Sequence, residues 1–161
     1  ANATSYVTLA EFRAYWDDRG QSGAPGSGSS DAQLEFACIM ATDYVEMRYR
    51  TRFVGFPSTS TQALHFPAAD AIDQLGKVLT GVPDRLKRAV CEYAFRALTA
   101  DLAPDPSTEV GQTVKSARID VLEVEFDSTR GEDLFKSYPK PDALIAPLLR
   151  GSSRSTTTVR H

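Results

Sequence analysis

The stretch that decides the fold is SDAQLEFACIMATDYVEMR, residues 30–48. Ser30 or Asp31 is expected to cap a helix here, because a side-chain oxygen at that position accepts from otherwise unpaired backbone N–H groups. Apolar residues then recur at helical spacing on two stripes. The first stripe comprises Leu34, Cys38, Ala41, Val45 and Arg48, and the second comprises Phe36, Met40 and Tyr44. A helix that is apolar around so much of its girth is expected to lie at the centre of the fold.

Further helices are predicted on both sides of this one. Thr8-Leu9-Ala10-Glu11 has the form of a capping box, which predicts a first helix over about 9–19. Val82-Pro83-Asp84 starts a third, long helix that should pair with the second, since proline is tolerated in the first helical turn. Pro141 starts a short fourth helix, which Pro147 interrupts. The expected fold class is therefore mainly α, with about four helices of which two are long and central.

Two segments depart from helical periodicity. Near 114–126, apolar residues alternate with Glu123 and Glu125, which predicts a small β-strand or hairpin. From Thr51 to Leu79 the chain is rich in aromatics and turn formers, so this long loop is expected to be functional or packed by its own rings. After Leu149 the chain is polar, and such a composition predicts an extended tail. We expect one helical domain over 1–149 and a flexible docking arm over 150–161.

Composition indicates an ordinary globular protein of one domain. The chain has 161 residues, 42% of them hydrophobic and 24% charged. No apolar run approaches the roughly 18 residues that a membrane span needs, and no signal segment is evident, so a cytoplasmic protein without a membrane partner is expected. The net charge is −3; residues 150–161 carry three arginines and no acid, so residues 1–149 carry −6. Such acidity disfavours tight binding of phosphates.

Enzyme signatures are missing from the sequence. It has no glycine-rich phosphate loop, no Gly-x-Ser-x-Gly elbow and no His-Glu-x-x-His motif. His65 with Asp70 and Cys91 would make a hydrolase, and the alternative is a loop histidine and a core cysteine. The two cysteines, Cys38 and Cys91, lie in apolar helical patterns, and no Cys or His has metal-ligand spacing. We therefore expect no catalytic residue, no metal and no cofactor.

Two residue groups suggest contact with DNA. The rings of Phe53, Phe56 and Phe66 follow three arginines and could stack on bases, although they could equally anchor the loop in the core. The arginines are Arg48, Arg50 and Arg52. Glu123 and Glu125 share one face of the predicted strand. They could be paired carboxylates, a solvated edge or the acidic lining of a DNA passage.

The order of several motifs resembles the head–tail connector (adaptor) family of tailed bacteriophages, which is related to proteins labelled DnaT-like ssDNA-binding. The motifs are Thr4–Glu11, Leu34–Tyr44, Gln62–Pro67, Val82–Pro83, the strand around Glu123–Phe126 and Ile145–Arg150. The resemblance implies a structural virion protein of the neck, assembled in the host cytoplasm. It would form a dodecameric ring on the portal, pass dsDNA through its channel and join the portal to a stopper, head-closure or tail protein.

The same resemblance implies which residues meet the partners. Portal docking would fall to Leu148, Leu149, Arg150, Arg154, Val159, Arg160 and His161. Glu123 and Glu125 would face the channel or stay on an acidic edge. The alternative function is a single-stranded-DNA-binding accessory protein, which would bind oligonucleotides in a salt-dependent manner.

Overall fold

The computed structural model describes residues 4–21, 28–103 and 135–151, together with the backbone of 118–119 and 122–123. The helices are α1 (Leu9–Asp17), α2 (Asp31–Tyr49), α3 (Asp84–Ala97) and α4 (Pro139–Ile145), and short 3-10 turns follow α2 at Arg50–Arg52 and α4 at Ala146–Leu148. Two antiparallel pairs join β1 (Phe56–Pro57) to β2 (Ala68–Ala69) and β3 (Arg118–Ile119) to β4 (Leu122–Glu123). The predicted fold class is confirmed, including a small hairpin inside 114–126.

Helix starts follow the local signals in the sequence. Thr8 accepts at Oγ1 from the Glu11 backbone N–H at 3.2 Å, while the Glu11 carboxylate accepts from the Thr8 N–H at 2.8 Å. Ser30, rather than Asp31, caps α2, and it forms the same reciprocal pair with Gln33. Each arrangement satisfies two backbone N–H groups that the helix itself leaves unpaired.

The core lies between α2 and α3, the predicted central pair. Ala41 and Val45 of α2 and Val90 and Tyr93 of α3 are fully buried. The second predicted stripe of α2 is only partly in the core: Tyr44 is buried, but Phe36 is 64% exposed. The helix is central, as predicted, but its second stripe is only partly buried. Helices α1 and α3 pack against one side of α2, and none of the described elements covers the other.

Two of the three phenylalanines in the 51–79 loop pack in the core, as the sequence allowed. Phe53 and Phe66 are buried with their ring centroids 5.2 Å apart in an edge-to-face contact. Phe53 also forms an isolated antiparallel bridge with Leu149, and the Val54 N–H donates to the Leu148 carbonyl at 3.0 Å. The chain that leaves α4 is therefore part of the domain core as far as Leu149.

Polar side chains hold α4 against the central pair. The Asp142 carboxylate accepts hydrogen bonds from the hydroxyls of Tyr49, at 2.8 Å, and Tyr93. Lys140 pairs with Glu92 of α3 at 2.5 Å. Because both contacts are with the long helices, α4 has one defined orientation, and residues 146–150 are directed onto the 51–79 loop.

Candidate nucleic-acid interface

One part of the surface brings an exposed aromatic ring together with Arg150, and the backbone of Arg52 bonds to that of Arg150, while the Arg52 guanidinium carbon lies 6.0 Å from the ring centroid of Tyr49. The Phe56 side chain is 64% exposed, and the Arg150 guanidinium carbon lies 5.5 Å from its ring centroid. Arg150 also donates from Nη2 to the Gly55 carbonyl at 3.3 Å and from its backbone N–H to the Arg52 carbonyl at 2.7 Å. We call the surface formed by Arg52, Phe56 and Arg150 the basic face.

The local backbone explains why Phe56 is exposed. Gly55 has φ +73°, a left-handed conformation that glycine adopts at little cost. A Cβ at this position would lie 2.5 Å from the Ala69 carbonyl oxygen, so a side chain would not fit. The tight approach allows β1 to pair with β2, with Phe56 opposite Ala69. The turn at Gly55 thereby sends the Phe53 ring into the core and the Phe56 ring out to solvent.

The basic face lies where two acid-free segments of the chain meet. Residues 48–69 contain three arginines and no Asp or Glu, and residues 143–161 contain three arginines and no Asp or Glu. The remaining residues have 12 Lys or Arg against 21 Asp or Glu, a net charge of −9. The bridge between Phe53 and Leu149 joins the two cationic segments. Of the six arginines in these segments, the structure describes Arg48, Arg50, Arg52 and Arg150, so part of this positive charge lies where the two segments meet.

Within the basic face, Arg52 and Arg150 carry charge that no described carboxylate neutralises. Arg50 pairs with Glu46 at 2.9 Å, and Arg48 lies 3.5 Å from Asp142. Arg52 and Arg150 are both exposed and form no ion pair with any residue that the structure describes. These two guanidinium groups are the ones available to bind an anion such as a phosphate.

Two ionisable groups in the contacts that orient α4 have shifted pKa values. Burial acts to raise the pKa of Glu92, but hydrogen bonds from Lys140, Tyr15 and Arg96 outweigh it and leave the pKa below its usual value. Burial raises the pKa of Tyr49 to about 12, so this hydroxyl stays protonated and donates to Asp142. Both carboxylates thus hold the segment that ends at Arg150.

The structure places the predicted docking residues in three different settings. Leu148 and Leu149 are buried in the core, at 1% and 8% exposure, and are not surface residues. Arg150 is exposed in the basic face. The other four predicted docking residues, Arg154, Val159, Arg160 and His161, lie outside the described part of the chain. Glu125 of the predicted acidic edge also lies outside it. Glu123 lies in β4, where only its backbone is described.

The residues considered for a hydrolase do not form a catalytic group. His65 is buried, and its Nε2 lies 3.1 Å from the Val54 carbonyl oxygen. Cys91 is buried in α3, where burial raises the pKa of its thiol to about 12. Asp70 is exposed, and no hydrogen bond joins any two of these three described side chains. Among the described residues, no cluster of His, Cys, Asp or Glu could hold a metal, and no helix could cross a bilayer.

The fold and the basic face define a small, mainly helical protein with an exposed aromatic ring beside an arginine that pairs with no described acidic residue. A family model described as "Putative DnaT-like ssDNA binding protein" matches residues 1–161, and the chain belongs to this family. No curated protein and no solved structure matches the chain.

The expected membership of the head–tail connector family is wrong, because the matching model is that of the DnaT-like family over the whole chain. The expected structural role in a virion is therefore also wrong. The same holds for the expected partners, which were the portal and a stopper or tail protein, and for the expected ring with a dsDNA channel. Several of the motifs behind that resemblance are helix caps and core positions, such as the Thr8 cap and the Pro83 helix start. They describe how the chain folds and carry little information about what it binds.

Proposed function

We propose that this protein is a non-enzymatic single-stranded-DNA-binding protein and that the basic face is its binding surface. The observation that carries the proposal is the exposed Phe56 ring beside Arg150 on a surface built from two acid-free segments. The description of the family to which the chain belongs also names ssDNA binding. A ring accepts the face of any base, and adjacent guanidinium groups attract the backbone phosphates, so sequence preference should be weak.

In the proposed complex, one base stacks on Phe56, and phosphates on either side of it contact Arg52 and Arg150. Stacking on a protein aromatic contributes about 1–3 kcal/mol per base. Each phosphate contact with a single strand adds about 0.7 to the slope of log affinity against log salt. Arg48 and Arg50 should contribute less, because Asp142 and Glu46 already compensate their charge.

The test is fluorescence anisotropy with a labelled oligothymidine over a series of salt concentrations. Phe56→Ala should weaken binding by about 5- to 150-fold, the equivalent of the stacking free energy. Arg52→Ala and Arg150→Ala should each lower the salt slope by about 0.7.

Arg88→Ala is the matched control, because Arg88 is an exposed arginine of α3 outside the two acid-free segments. Its removal should leave the salt slope nearly unchanged. The proposal is overturned if the wild-type protein does not bind the oligonucleotide at low salt. It is also overturned if Arg88→Ala reduces binding as much as Arg150→Ala.

A further inference from the structure

A second exposed apolar surface lies on the turn formed by residues 72–78, which we call the apolar knob. Its three apolar side chains are unusually exposed: Ile72 at 52%, Leu75 at 76% and Val78 at 64%. Exposed residues of this size are ordinary when scattered, but a cluster of them marks an interaction surface.

The knob is an ordered turn. Ile72 and Val78 form an antiparallel bridge at its base. The Asp73 carboxylate accepts from the backbone N–H groups of Leu75 and Lys77, each at 2.9 Å, and the Asp73 N–H donates to the Lys77 carbonyl at 2.9 Å. Leu75 is therefore held at the tip in one position, with its backbone N–H satisfied.

Two sets of contacts fix the knob beside the basic face. The Gln74 side-chain amide donates to the carbonyls of Ala146 and Leu149, each at 3.2 Å, and Leu149 directly precedes Arg150. On the other side of the knob, Ala71 lies against Gly55, where a Cβ would be 2.8 Å from the Ala71 Cβ. The knob is thus attached to both segments that carry the basic face.

We propose that the apolar knob makes the basic face selective for unpaired DNA, an inference that rests on the proposed function. A duplex exposes its phosphates but stacks the faces of its bases on one another, so an apolar side chain reaches them only by unstacking a base step, at a cost of about a few kcal/mol. A single strand can turn its bases outward, and an apolar side chain such as leucine then packs against them.

We infer that single-stranded DNA occupies this surface because exposed apolar and positively charged side chains alternate on it. Leu75 and Val78 flank Lys77, which is exposed, and Phe56 lies beside Arg150. Bases and phosphates alternate in the same manner along a nucleotide chain. Leu75 is accordingly a specificity-determining residue, while Arg52 and Arg150 supply attraction that does not depend on strandedness.

The experiment compares affinities for a single strand and a duplex of equal length, under the same salt, for the full chain and two variants. Leu75→Ser should weaken single-strand binding by about 3- to 10-fold and leave duplex binding unchanged or stronger, because a partly buried leucine is lost only from the single-strand complex. Because Leu75 is 76% exposed, the variant should fold normally.

Phe36→Ser is the matched control. Phe36 is 64% exposed on α2, about 20 Å along the helix axis from Tyr49, where α2 ends before Arg52, so its variant should change neither affinity. If Leu75→Ser weakens both affinities equally, or leaves their ratio unchanged, the role of the knob is refuted while DNA binding stands. If the wild-type protein binds neither DNA, the proposed function and this inference both fail.

Discussion

Replacing Gly55 by alanine should destabilise the fold and disturb the basic face together. An L-residue at φ +73° carries a cost of about 1–2 kcal/mol in the left-handed region. The new Cβ would also lie 2.5 Å from the Ala69 carbonyl oxygen, a backbone atom that can move only with β2, and such crowding adds about 1–3 kcal/mol. The expected loss in the free energy of unfolding is therefore about 2–5 kcal/mol.

Gly81→Ala separates the two contributions. Gly81 has φ +66°, but a Cβ there would have no atom within 4 Å, so this variant should lose only about 1–2 kcal/mol. Urea unfolding followed by the fluorescence of Trp16, the single tryptophan, measures both values. Gly55→Ala should in addition weaken oligothymidine binding, because Arg150 bonds to the Gly55 carbonyl. Equal losses of stability in the two variants would refute the close approach of Gly55 to β2.

Two predictions concern the contacts that hold α4. The pKa of Glu92 lies below its usual value, so its stabilising contribution is present at neutral pH and is lost as the pH falls through the folded-state pKa, below about 4.5. The free energy of unfolding of the wild type, measured by urea titration, should therefore fall between pH 5 and 3, and it should fall by more than that of Glu92→Gln. An equal fall in the two proteins would contradict the charged pairing of Glu92 with Lys140. Asp142→Ala should lower the free energy of unfolding by about 1–3 kcal/mol, because the hydroxyls of Tyr49 and Tyr93 lose the carboxylate that both of them bind. A loss below about 1 kcal/mol, the value of a surface contact, would show that α4 is not held in this way.

The local elements could be predicted because their determinants lie close together in the chain. Thr8 with Glu11 and Ser30 with Gln33 each complete a cap within four residues, so the starts of α1 and α2 follow from the sequence. The packing of α2 against α3 follows from their apolar periodicity. The exposure of Phe36 did not follow, because periodicity shows which residues are apolar and not which of them another element covers.

The same difference between local and tertiary determinants applies to the candidate site. The sequence by itself determined the residue types: the aromatics of the 51–79 loop, the arginines near them and the arginines after Leu149. In the linear sequence, the arginines after Leu149 form a basic tail on an acidic domain. That distribution of charge argued against binding of nucleic acid. Only the tertiary structure placed Arg150 on Gly55, 95 residues earlier, and selected Phe56 rather than Phe53 or Phe66 as the exposed ring. The reason is that caps and periodic stripes are local, whereas the pairing of Phe53 with Leu149 depends on how the core positions α4.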